Sequence, residues 1–321
     1  MFAVELTPEI PTSRLASLAG TAESANFDTV FVSHHYNNRD EFVALTAAAQ
    51  ATAAIRLGPG IVNPYETHPV TLASRMATLQ EYSDGRGIFG IGPGDASTLS
   101  NLGYDPERPL RRVLETIQVA RRLWRGERVD HDGTFQAKDA GLNYEVDGPP
   151  VYVGAQGPHM TRMAAKHVDG VLYNGSHPRD IEWASDRVAE GLDERPDDRG
   201  AFDFAAYASV SVAEDTDTAR ETARPPVAFI AGGAPPPVIE RHDLDPERAS
   251  RIGEAISAGE FSEAFGLVSE EMIDAFCIAG TPETVHDQIA AILTVADSFV
   301  MGSPLGPEPE TALELLDAEQ F

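Results

Sequence analysis

Leu57-Gly58-Pro59-Gly60-Ile61-Val62-Asn63-Pro64-Tyr65 carries two conflicting signals. From Arg56 to Val62 the apolar content is that of a short buried strand, yet Gly-Pro-Gly sits inside it. Proline cannot donate to a sheet ladder, and glycine in a strand marks a bulge or the close approach of something else. The alternative is an ordinary strand running into a Pro-rich turn. The bulge reading points to a ligand or another backbone lying against this segment.

Outward from it, the pattern repeats. Phe2–Leu6 is a short apolar run holding one acid, Glu5. Strands are also expected at Thr29–Ser33, Gly87–Gly92, Pro150–Ala155, Gly170–Asn174, Phe202–Val212 and Ser298–Met301, from β-branched or apolar content and flanking turn residues. With the central segment, eight strands alternate with helical stretches such as Ser13–Ala25 and Arg111–Trp124. That is the pattern of a (β/α)8 TIM barrel, an α/β fold, with an open doubly wound sheet as runner-up. Residues 126–148 read as a hairpin-like excursion. The chain reads as a single barrel domain over 1–321, in which residues 213–279 form a mostly helical insertion without strands.

In a barrel, chemistry sits on the loops after the strands. The unusual residues fall there: Glu5, His34–Asn38, Gly60–Tyr65, Gly92–Asp95, Gly154–Pro158, Asn174–Ser176 and Gly302–Pro304. Each is a weak signal, and their agreement in position gives them weight.

Composition limits the partners. The chain of 321 residues has Lys+Arg 24 against Asp+Glu 51, a net charge of -27. Such a surface repels nucleic acid and anionic membranes. Lys138 and Lys166 are its only lysines. Acid excess with 42% hydrophobic residues suggests a folded protein from a salt-rich cytoplasm rather than a disordered chain. At molar salt a Debye length of about 3 Å screens the repulsion. The one cysteine, Cys277, excludes an internal disulfide and a cysteine metal cluster, and no metal site is expected. No apolar run is long enough to span a bilayer, so a cytoplasmic location is expected.

Several motifs taken together are more specific. Gly58-Pro59-Gly60-Ile61-Val62-Asn63-Pro64-Tyr65, Gly90-Ile91-Gly92-Pro93-Gly94-Asp95, Gly154-Ala155-Gln156-Gly157-Pro158, Val227-Ala228-Phe229-Ile230 with Pro235-Pro236-Pro237, and Gly302-Ser303-Pro304-Leu305-Gly306-Pro307 occur in this order. The set resembles the methylenetetrahydromethanopterin reductases of the luciferase-like superfamily, from Glu5 to Pro307, in a halophilic archaeal version. The resemblance implies coenzyme F420, a 5-deazaflavin, as hydride donor, with FMN or NAD(P)H as alternatives. It implies a 5,10-methylene-tetrahydropterin as substrate, built on tetrahydrofolate or tetrahydromethanopterin. It also implies a homo-oligomer, dimer or tetramer.

The site residues follow from the same resemblance. A non-prolyl cis peptide at Gly60–Ile61 backs the deazaflavin ring. The cofactor is expected against His34, Gly60, Ile61, Val62, Asn63, Gly92, Gly94, Asp95, Gly154, Ala155, Gln156, Gly157, Asn174 and Ser176. The pterin is expected against His35, Tyr36, Gln156 and Phe229. Backbone N–H groups of Gly154–Gly157, ahead of a helix, suit a phosphate. Glu5 is the catalytic candidate, because opening the methylene bridge needs a proton on the leaving nitrogen. For each there is a plainer role: a rim glutamate, a turn that needs glycine, an Asp95 that only caps a helix. His34-His35-Tyr36-Asn37-Asn38 departs from the family pattern, which opens with Asp. Competing functions are a luciferase-like FMN-dependent monooxygenase, a deazaflavin-dependent alcohol dehydrogenase, and a barrel that binds without catalysis.

Overall fold

The structure is a computed structural model, and it describes residues 1–318. In chain order the elements are β1 (Phe2–Leu6), α1 (Thr12–Ser24), β2 (Thr29–Val32), α2 (Glu41–Ala51), β3 (Arg56–Pro59), α3 (Pro69–Tyr82) and β4 (Phe89–Ile91). Next come α4 (Ala96–Asn101), α5 (Pro109–Trp124), the antiparallel hairpin β5 (Val129–Asp132) and β6 (Gln136–Ala140), β7 (Val151–Ala155), α6 (Pro158–His167), β8 (Gly170–Asn174) and α7 (Pro178–Leu192). The remainder is β9 (Asp203–Val212), α8 (Thr216–Gly233), α9 (Pro236–Arg241), α10 (Pro246–Ala258), α11 (Phe261–Gly266), α12 (Glu270–Phe276), β10 (Ile278–Gly280), α13 (Pro282–Leu293), β11 (Ser298–Leu305) and α14 (Pro309–Leu315).

Eight parallel strands run in the order β3-β2-β1-β11-β9-β8-β7-β4. Bridges Leu57↔Gly87 and Val62↔Ile91 join the two ends and close the barrel, so the (β/α)8 expectation holds. Glycine makes the seam possible. A Cβ on Gly90 would lie 1.9 Å from the Pro59 carbonyl oxygen, and one on Gly58 would lie 2.4 Å from that of Ile88. The bulge reading is therefore right, and part of what approaches is the neighbouring strand's own backbone.

The central strand is shorter than Arg56–Val62. It pairs with β2 only as far as Pro59, where Gly60 N donates to Val32 O at 2.8 Å. After a cis Gly60–Ile61 peptide, Val62 N donates instead to Gly90 O at 3.1 Å. The chain thus leaves β2 within three residues and stays paired only on the β4 side, which Leu57 already bonds. Ser303–Pro304 is also cis.

Ala3, Phe31, Ile88, Tyr152, Leu172, Ala205 and Val300 fill the barrel interior. A larger apolar shell lies between strands and helices. Helices α8–α12 gather around a cluster of their own that includes Val227, Ile252, Met272 and Phe276. The absence of strands expected over 213–279 is corrected at its end. Ile278–Gly280 is a strand pairing parallel with β9, where Ile278 sits opposite Val210. Asp180, at the start of α7, accepts from Arg241 Nη1 at 2.6 Å and His242 Nε2 at 2.9 Å, which ties α9 and its following loop to the barrel.

Candidate active site

A cleft of about 670 Å³ opens at the C-terminal ends of the strands. That volume suits a cofactor-sized ligand. Its wall brings together residues from five different loops. His34 and His35 follow β2, and Gly60, Ile61, Asn63 and Glu66 follow β3. Gly94 and Asp95 follow β4, and Gly154, Ala155, Gln156 and Gly157 end β7 and lead into α6. Asn174 closes β8, and Leu172 and Tyr207 reach in from the barrel.

The Gly60–Ile61 bulge stands in this wall because its neighbours lack side chains. A Cβ on Gly92 would be 2.7 Å from Ile61 Cδ1, and one on Gly154 would be 3.1 Å from Ile61 Cγ1. Gly92 therefore acts by leaving room for Ile61, not by lining the cleft. At Gly157, which precedes α6, an added Cβ meets nothing within 4 Å. Open backbone there and a flat wall at Gly60–Ile61 fit an extended planar cofactor bearing a phosphate.

Asp95 holds the plainer role expected of it and also stands at the cleft. It lines the cleft and caps α4, accepting from Thr98 N at 2.8 Å and Ser97 Oγ at 2.5 Å. Burial opposes ionisation, but the bonds from Ser97 and Thr98 prevail and hold its carboxyl below the ordinary range. Asn63 builds a turn rather than a free recognition group. Its Oδ1 accepts from Tyr65 N at 3.0 Å and Glu66 N at 3.1 Å, and its Nδ2 donates to Glu66 Oε1 at 2.7 Å.

His34 lies between two carboxylates. Its Nδ1 is 2.8 Å from Glu41 Oε2 and its Nε2 is 3.1 Å from Glu66 Oε1. Burial works against the charged ring, but Glu41 and then Glu66 outweigh it and raise the pKa to about 9. Both ring nitrogens then donate, and the three groups together carry one negative charge. The sign of the linkage follows. The unfolded chain releases this proton near 6.5, so His34 stabilises the native state fully below that pH and loses the effect as pH rises through about 9. Thermal midpoints measured from pH 6.5 to 9.5 should fall more steeply for the native protein than for His34→Gln. Parallel curves would show that His34 gives up its proton alike in both states.

Glu5 is 3% exposed and stands behind the cleft, not in its lining. Thr7 Oγ1 donates to Oε1 at 3.0 Å. Ser303 donates to Oε2 from its backbone N at 3.2 Å and from Oγ at 3.0 Å. Tyr207 does line the cleft, and burial, then the charge of Glu5, raise its pKa well above the ordinary tyrosine value.

Five expected residues are not among those lining this cleft. Val62 is 1% exposed and belongs to the sheet seam. Gly92 is the spacer described above. Ser176 is buried, donating to Phe276 O at 3.0 Å and accepting from Ser209 N at 3.1 Å, so it joins the end of α12 to the barrel. Tyr36 is exposed, its ring 4.6 Å from that of His35. Phe229 faces outward on α8, against Phe261 at 6.0 Å and Phe265 at 6.3 Å. The sequence reading passed over the cleft residues Glu66, Thr98, Met160, Leu172 and Tyr207 among others, and Glu41, which holds His34 from outside the lining. The Asn63-Pro64-Tyr65-Glu66 turn was a usable signal for Glu66 alone.

Comparison with known proteins agrees with this geometry. The family model described as luciferase-like monooxygenase matches residues 2–296. A 5,10-methylenetetrahydromethanopterin reductase of Archaeoglobus fulgidus is 40% identical over 324 residues, covering 99% of this chain and 98% of the relative. One from Methanolobus tindarius is 39% identical, with 99% and 98% covered. The solved structure of a coenzyme F420-dependent tetrahydromethanopterin reductase from Methanopyrus kandleri superposes with a TM-score of 0.91. It is 40% identical, and the match covers 99% of this chain and 97% of that one.

Proposed function

The chain belongs to the luciferase-like monooxygenase family, and from that premise we propose that it reduces a 5,10-methylene-tetrahydropterin to the 5-methyl form. Reduced coenzyme F420 supplies the hydride when bound. The protein's part is position and proton control. The Gly60–Ile61 bulge and the Gly154–Gly157 loop hold the cofactor. Asn63 and Asp95 shape the loops around it, and His34, with Glu41 and Glu66, fixes the loop after β2 to those after β3. The pterin takes the remaining space beside His35 and Gln156. Glu5 provides the proton for the nitrogen that leaves the methylene carbon.

The observation that carries this reading is the meeting of the bulge, the glycine loop and a buried Glu5 at one barrel mouth, in a chain similar to reductases over its full length. Assays with methylene-tetrahydromethanopterin and methylene-tetrahydrofolate, each with reduced F420, NADH or NADPH in molar KCl, test it. Oxidation of reduced F420 that depends on either pterin is expected. Oxygen consumption with reduced FMN in place of that reaction would select the monooxygenase.

The surface supports a salt-rich cytoplasm, and the family likeness supports a homo-oligomer. A net charge of -27 repels itself unless screened. The thermal midpoint should therefore rise from dilute buffer to molar KCl. A flat dependence would overturn the salt-adapted reading.

A further inference from the structure

His35 is held at both ring nitrogens. Asn37 N donates to its Nδ1 at 3.4 Å, and its Nε2 lies 3.2 Å from Thr98 Oγ1. A backbone N–H can only donate, so Nδ1 is the acceptor. The proton of the neutral ring therefore sits on Nε2 and is given to the Thr98 oxygen, which can turn to accept it. The Asn37 bond is the longer of the two, so the Thr98 oxygen holds the ring more firmly. This contact crosses the mouth of the barrel. His35 is on the loop after β2, Thr98 is on α4 after β4, and both line the cleft. Thr98 is itself fixed, because its N donates to the capping Asp95 at 2.8 Å. The loop that carries it packs on the Asn63 turn, where a Cβ on Gly94 would be 3.1 Å from Asn63 Cβ.

We propose that Thr98 is a positioning residue of the site, whose hydroxyl holds the His35 imidazole in one orientation, with the ring proton on Nε2, for the pterin that lies beside it. This rests on the reductase reading above. A ring left free to turn would have to be ordered when the substrate binds, and that ordering is taken from the binding energy. Thr98 orders it in advance. The neighbouring His34 is fixed separately, by Glu41 and Glu66, so the two histidines of this loop are anchored to different parts of the mouth.

Thr98→Val keeps the shape of threonine and removes the acceptor. KM for the pterin should rise about 3–10-fold, the scale of one lost hydrogen bond, with kcat, affinity for reduced F420 and thermal midpoint close to native. Thr98→Ala should repeat the loss with a residue that suits a helix, and Thr98→Ser should restore the native KM. Nitrogen-15 spectra near pH 9, above the ordinary histidine range, read the ring independently of turnover. The signals that vanish in His35→Gln should show a proton on Nε2 alone in the native protein and in Thr98→Ser. Thr98→Val and Thr98→Ala should show a mixture of the two tautomers.

A native KM in folded Thr98→Val and Thr98→Ala would overturn the proposal, as would a raised KM with unchanged ring signals or one that Thr98→Ser fails to restore. A native protein inactive on both pterins would overturn it through the reductase reading. The tautomer change would then still show Thr98 holding His35, which identifies the reaction rather than the contact as the error.

Discussion

Glu5→Gln lowers turnover by about 10²–10⁴-fold, the range for loss of a general acid, while the fold and cofactor affinity stay close to native. The surroundings of Glu5 explain why the two effects separate. Ser303 N can only donate, so the amide oxygen of the glutamine must face it, where Glu5 Oε2 now accepts at 3.2 Å. The amide nitrogen then takes the place of Oε1, opposite Thr7 Oγ1 at 3.0 Å. A threonine hydroxyl can turn and accept. Each polar atom keeps a partner, and the stability cost is that of an altered bond, about 1 kcal/mol. What the amide cannot do is release a proton. Turnover and thermal midpoint measured on the same preparation decide the matter. If Glu5 were only a buried anchor, the midpoint would drop and the folded fraction would turn over normally. Full activity in a folded variant would remove Glu5 from the mechanism. His34 would be a poor substitute donor, since both its nitrogens are engaged by Glu41 and Glu66.

The parts of this molecule that were legible in the sequence are those fixed locally. Phe2–Leu6 and Gly170–Asn174 match the observed strands at both ends, because buried parallel strands are short apolar runs bounded by polar residues. Gly58 was legible as a close approach, because glycine in a strand has few other causes. What depends on distant partners was not legible. Arg56–Val62 keeps one apolar pattern throughout, and only the three-dimensional seam shows Val62 pairing with β4 instead of β2. Strand β10 has three residues directly after a helix, too few for any periodicity. Tyr207 lies in the expected strand Phe202–Val212, and only the closed barrel shows its side chain among the cleft lining. Phe229 was carried over inside a motif, and that motif lies on α8, where its ring packs against Phe261 and away from the lining of the cleft.

Gly90→Ala should cost more stability than any other single methyl added to this barrel. The new carbon would sit 1.9 Å from the Pro59 carbonyl oxygen and 3.1 Å from its carbon. No rotamer relieves this, because alanine has none and the obstacle is backbone. Relief would require β3 and β4 to part, which strains the bonds from Val62 N to Gly90 O and from Ile88 N to Leu57 O. Those bonds are the barrel's closure, and parting them also moves the Gly60–Ile61 wall of the cleft. Overpacking a core with one methylene ordinarily costs about 1–3 kcal/mol. With no side chain able to yield, the loss here should reach the top of that range or exceed it. The expected result is a much lower thermal midpoint and weaker cofactor binding in whatever protein remains folded. Gly266→Ala is the control. It adds the same methyl to α11, where nothing lies within 4 Å and alanine suits a helix better than glycine. Its midpoint should equal or slightly exceed the native one. If Gly90→Ala melted with Gly266→Ala, the strands at the seam would have to lie farther apart than this barrel closure allows.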